Sequence, residues 1–131
     1  MENKAIDLTK KDNESILDQA EKDNIKFVQL QFSDILGIPK SITIPIAHLP
    51  ECLENGTWFD GSSIEGFTRI AESDMFLKPD VSTYAKIPLL GSEEERNTCR
   101  FICDIHNSDG TPFEGDPRYI LKKVMKEASE L

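Results

Sequence analysis

The chain is short of positive charge. Against 24 Asp and Glu stand 15 Lys and Arg, a net charge of −9 over 131 residues. It therefore lacks the basic footprint by which proteins hold nucleic acid or anionic membrane. No apolar run approaches the roughly 18 residues of a membrane span, and the start, MENKAIDLTKK, has no apolar signal-peptide core. A cytoplasmic protein with neither nucleic acid nor membrane among its partners is expected. Cysteines are few and odd in number, Cys52, Cys99 and Cys103, which argues against a disulfide framework. On a strand Cys99 and Cys103 would lie on one face about 13 Å apart, beyond the roughly 7 Å that a disulfide allows. They are expected to be core thiols packed with Phe101 and Ile105, with Cys52 serving helix packing. The two histidines, His48 and His106, have no partner at ligand spacing. No Gly-Lys-Ser/Thr follows a glycine loop at Walker spacing, and low-complexity segments are absent.

What is present is ordinary globular composition, 38% hydrophobic and 30% charged, at a length that supports one core. Thr9 and Asp12 resemble a capping arrangement before Ile16, Leu17 and Ala20, which predicts a helix over residues 10–22. In KFVQLQFS, Val28, Leu30 and Phe32 alternate with Gln29 and Gln31, the pattern of a half-buried strand. Asp34 to Pro39 then reads as the turn of a hairpin whose second strand is Lys40 to Ile44. Ile46, Leu49 and Leu53 fit a short helical face that stops near Asn55-Gly56. Residues 72–77, 81–88 and 98–105 are candidate strands, and Asn107-Ser108-Asp109-Gly110 ends the last of them. Asp116-Pro117 is a helix start, with Ile120, Leu121, Val124, Met125 and Ala128 as an apolar stripe behind it. A stripe that wide needs a surface to pack on. Either the helix folds back on the sheet, or the chain is the front of something longer.

The stretch WFDGSSIEGF, residues 58–67, fits neither a helix nor a strand period over its ten residues and is expected to be a loop. Its glycines permit close backbone approach. Its aromatics can anchor the ends and leave Asp60 at the tip, ionised at neutral pH from a reference value of about 3.9. A fixed carboxylate beside two hydroxyls suits a small cation, a metal or a proton. The alternative is that Asp-Gly forms a turn in which Asp60 bonds its own backbone. Glu93-Glu94-Glu95 reads as a solvated charge run rather than a metal site.

The run FDGSSIEGFTRIAESDMFL, residues 59–77, resembles the N-terminal signature of glutamine synthetases: an aromatic, Asp-Gly-Ser-Ser, a spacer, then an acidic cluster, here Glu72-Ser73-Asp74. QFSDILGIPKSITIP and RFICDIHNSDGTPFEGDPRYILKK look like the same family, closest to its bacterial and archaeal type I members. The resemblance implies an α+β fold, a β-grasp mixed sheet with a packed helix, over residues 1–110. Residues 111–131 would be a linker and the first helix of a truncated catalytic domain. It further implies a glutamate-ammonia ligase that uses ATP and Mg (or Mn), both held by the absent catalytic domain, with no cofactor expected in this chain. The partner would be the catalytic domain of an adjacent identical subunit in a homo-oligomeric ring, a dodecamer by resemblance, acting on glutamate and ammonium.

By that resemblance Asp60 matches the carboxylate that binds ammonium and removes its proton, and Ser63 a supporting loop serine. No position matches the family's metal ligands. Arg69 is a candidate for reading a substrate carboxylate, against the alternative of pairing with Glu65 or Glu72. The isolated chain is expected to be inactive. A second reading is a stand-alone β-grasp module that binds a synthetase or another partner and regulates without catalysis; an encoded stop after Leu131 would favour it.

Overall fold

The computed structural model describes residues 2–61, 74–88 and 97–131, with the side chains of 2–11 left aside. A first helix, α1 (Glu2–Lys22), leads into the hairpin of β1 (Phe27–Ser33) and β2 (Pro39–Pro45). After a 3-10 turn at Ile46–His48 come α2 (Leu49–Asn55) and β3 (Thr57–Asp60). Then come β4 (Asp74–Pro79), a 3-10 turn at Val81–Thr83, β5 (Ala85–Lys86), β6 (Thr98–Asn107) and the last helix, α3 (Pro117–Ser129).

The strands form one mixed sheet in the order β2-β1-β6-β4-β3, with β5 also paired to β6. The β1–β6 pair is parallel, placing Val28 beside Cys99 and Leu30 beside Phe101. The other pairs are antiparallel. Alternation along β1 and β6 sends Val28, Leu30, Phe32, Cys99, Phe101, Cys103 and Ile105 into the core, where they meet Ala20 of α1 and Leu49, Cys52 and Leu53 of α2. The expected core role of the three cysteines holds, for each is a free, buried thiol. Burial pushes the Cys99 thiol up to about 12 and raises Cys52 and Cys103 as well, so none offers a thiolate at neutral pH.

The expected hairpin forms with its turn organised by Asp34, 2% exposed, whose Oδ1 accepts from the backbone N–H of Leu36 and Ile38 at 3.0 and 2.8 Å. Several expectations change. Thr9 and Asp12 do not start α1. They lie inside it, because the residues before them contain good helix formers and no glycine or proline. Residues 81–88 are not one strand: Asp80 Oδ1 accepts from Ser82 N at 3.0 Å and caps a 3-10 turn. Thr83 Oγ1 then accepts from Ile102 N at 2.8 Å, occupying a position on β6 that a partner strand would otherwise fill. Trp58, Phe59 and Asp60 are strand rather than loop, because out-in-out alternation over three residues suffices once β4 is alongside.

Candidate functional site

Asp60 is placed by the elements before it. Helix α2 carries Pro50 in its first turn and ends on Gly56, whose φ is 76°. A Cβ at Gly56 would stand 3.0 Å from the Leu77 carbonyl oxygen, so glycine both accepts the left-handed angle and lets the chain pass close to β4. Strand β3 begins at once as the outermost strand at its end of the sheet. Phe59 turns inward and packs on Phe32 with ring centroids 5.2 Å apart. Trp58 and Asp60 therefore point outward, and both are exposed. Across the ladder Trp58 stands opposite Phe76, and Asp60 opposite Asp74.

The result is a carboxylate held at the rim of the sheet by a buried neighbour. An ionised carboxylate only accepts hydrogen bonds, so a carboxylate of this kind suits a cation or a proton donor. Ser63 and Arg69, the other two candidate residues, lie outside the described residues. So do Glu65, Glu72 and Glu93-Glu94-Glu95.

The histidines do not come together at a site. His48 closes the 3-10 turn before α2, and His106 Nδ1 lies 2.9 Å from the Gly110 carbonyl oxygen. Among the described residues no three His, Cys, Asp or Glu side chains converge as metal ligands. The described residues near Asp60 thus supply no three-ligand set for a magnesium ion.

Sequence reading gives Arg118 no role, yet the structure joins it to Asp80 at 2.8 Å and to Asp104 at 2.7 Å. Burial works to raise the Asp80 carboxyl, but hydrogen bonds from Ser82 and Arg118 outweigh it and hold that group below the usual carboxylate range. For Asp116 burial wins over the bonds from Ile105 and Arg118, and its carboxyl is raised. The partners of Arg118 lie 38 and 14 residues away in sequence, and no local pattern marks such pairs.

Comparison with known proteins places the chain. Residues 24–108 match the family described as "Glutamine synthetase, beta-Grasp domain". A glutamine synthetase of Staphylococcus aureus (strain Mu50) is 48% identical over 118 residues, covering 90% of this chain and 26% of that protein. One from Methanocaldococcus jannaschii is also 48% identical, over 121 residues, covering 87% of this chain and 26% of its own length. The chain thus spans about a quarter of these relatives. Among solved structures, a Plasmodium falciparum glutamine synthetase superposes with a TM-score of 0.78 at 26% identity over 90% of this chain and 22% of that one. A structure titled "GmaS/ADP complex" gives 0.77 at 24% identity over 88% of this chain and 25% of its own, a likeness of fold alone.

Proposed function

The chain belongs to the glutamine synthetase β-grasp domain family, and on that premise we propose that it serves an ATP-dependent glutamate-ammonia ligase by closing a neighbouring subunit's active site with Asp60. On this reading residues 1–110 form the β-grasp domain, and residues 111–131 are the linker and first helix of the catalytic domain. The observation that carries the proposal is the placement of Asp60: an exposed carboxylate at the sheet's outer strand, fixed by buried Phe59 on one side.

Its chemistry derives from the substrate. Ammonium has no lone pair and cannot attack an activated carboxyl group until it loses a proton. Asp60 attracts the cation by charge, and once the neighbouring subunit excludes water it accepts that proton, leaving ammonia and a neutral carboxyl. ATP and Mg (or Mn) belong to the neighbour's catalytic domain, as the family resemblance implies. Ser63 supports the loop, and Arg69 reads a substrate carboxylate. The assembly is a homo-oligomeric ring, a dodecamer on the family pattern, and its setting is the cytoplasm.

The test is Asp60→Asn in the complete synthetase. Ammonia-dependent kcat/KM should fall by about 100-fold or more, while transfer to hydroxylamine, already neutral, should change by only a few-fold. Equal losses in the two assays would remove Asp60 as the proton acceptor. A magnesium-dependent ATPase in the 131-residue chain alone would overturn the division of labour between subunits.

A further inference from the structure

We infer that the Asn55-Gly56 link is a site of spontaneous deamidation gated by the last turn of α2, and that its conversion displaces strand β3. When glycine follows asparagine, the next backbone nitrogen reaches the side-chain amide with no side chain of its own to obstruct it. This pair occurs once in the chain. Asn55 is the last residue of α2 and is exposed, so no core packing holds its side chain.

The reaction balances without any oxidant or reductant. Gly56 N gives up its proton to solvent and attacks Asn55 Cγ. The N–Cγ bond forms, the Cγ–Nδ2 bond breaks, and the side-chain nitrogen leaves as ammonia, closing a cyclic imide. Water then opens the ring at either carbonyl carbon. Breaking N–Cγ leaves aspartate in an unchanged backbone. Breaking the bond from Gly56 N to the Asn55 main-chain carbonyl carbon leaves isoaspartate, whose chain runs through Cβ and Cγ.

In the folded chain the attacking nitrogen is engaged. Gly56 N donates to Cys52 O at 2.8 Å and closes the helix, while Cys52 and Leu53, 2% and 8% exposed, fix that turn in the core. The nitrogen can neither shed its proton nor swing onto Cγ until the turn opens. Hydrogen exchange at the same N–H needs the same opening and the same loss of the proton, so the two reactions share one gate. Asn107-Ser108 provides the contrast. Its side-chain amide donates to Thr111 Oγ1 at 3.1 Å and to the Pro112 carbonyl at 3.3 Å, and serine carries a side chain that hinders the attack.

The product has little room. A Cβ on Gly56 would stand 3.0 Å from the Leu77 oxygen and 3.5 Å from both Phe76 Cβ and Lys78 Cγ, so the chain already runs against β4 at this point. Isoaspartate lengthens the backbone immediately before it. Helix α2 is held by Leu49, Cys52 and Leu53, and β4 lies between β3 and β6. Strand β3 has four residues and pairs only with β4 among the described residues, so β3 and Asp60 take up the extra length. The aspartate product instead puts a negative charge at the C-terminus of α2, where the helix dipole disfavours it. The modification does not depend on the reaction assigned above.

The test follows the 131-residue chain in buffer and in urea by peptide mass spectrometry, with isoaspartate labelled by an isoaspartyl methyltransferase. In urea Asn55 should convert before any other asparagine. In buffer it should convert more slowly by about ten-fold or more, and by the same factor as the protection of the Gly56 amide measured by hydrogen exchange. Leu53→Ala should raise the folded rate and lower that protection by matching factors, with the rate in urea unchanged; sub-denaturing urea on the unmodified chain gives the same comparison if the variant does not fold. Another asparagine converting first in urea overturns the site. A folded rate that departs from the Gly56 protection by more than about ten-fold overturns the gate. In the purified isoaspartate form the Asp60 amide should move in the NMR spectrum while those of Val28, Leu30 and Phe101 stay; an unmoved Asp60 amide overturns the displacement.

Discussion

Helices α2 and α3 both carry proline in their first turn, and there the likeness ends. α2 has seven residues and buries Leu49, Cys52 and Leu53. α3 has nearly twice the length and buries none. The shorter helix is built into the core and hands the chain through Gly56 directly to β3 and Asp60. The longer one rests on charges at the surface of the sheet. Length and amphipathic pattern describe what a helix could bury, whereas tertiary placement decides what it does bury. The end of the domain that presents Asp60 is accordingly anchored by packing, and the end that leads away is anchored by ion pairs.

The widest break in that comparison comes from the core side. Leu49 is fully buried, so Leu49→Ala should cost about 3 kcal/mol of global stability, read by denaturant unfolding, with sheet and α2 signals lost together. The loss of Arg118 should instead act on α3 alone. A local effect for Leu49→Ala would erase the contrast between the two helices. A smaller break lies at the hand-over to β3. Gly56→Ala imposes a positive φ on alanine and a 3.0 Å approach to the Leu77 oxygen, which should cost about 1–2 kcal/mol. Because β3 must shift to relieve that approach, the Asp60 amide should move in the NMR spectrum while those of α3 stay in place.

Much of this architecture is legible in the sequence. Alternation along residues 27–33 marks β1 with its inward residues right, and Asp116-Pro117 marks the start of α3 to the residue. Gly56 signals the stop of α2, and the Asp-Gly-Ser-Ser motif carries the family. The hidden features depend on contacts made far along the chain. Phe59 enters a strand only because Met75 comes to lie opposite it. β6 takes β1 as a parallel neighbour from about 70 residues away, and parallel pairing has no short-range turn signal. Arg118 looks like any exposed basic residue until Asp80 and Asp104 are folded against it. The stripe on α3 is apolar as its spacing indicates, but a pattern cannot say whether its surface is already covered.

The smallest effect separates the two anchors by pH. Asp80 has its carboxyl held below the ordinary value of 3.8 once the bonds from Ser82 and Arg118 outweigh burial. A carboxyl lowered in the folded state adds stability that is fully present above the unfolded value and is lost as pH falls through the folded one. Asp80→Asn keeps an oxygen for Ser82 but removes the charge facing Arg118. At pH 7 it should cost about 0.5–1 kcal/mol, the scale of a partly exposed ion pair. As pH falls through that lowered folded value the wild-type Asp80 itself becomes neutral, so the two stability curves should converge. Asp23 and Asp109 are also lowered, mainly by hydrogen bonds from Tyr84 and Thr111. They remain in both proteins, so each still weakens in acid and only the difference isolates the Asp80 charge. Urea unfolding from about pH 7 to about pH 2.5 measures it; a gap that stays constant across that range would mean that Asp80 holds the α3 end by shape rather than by charge.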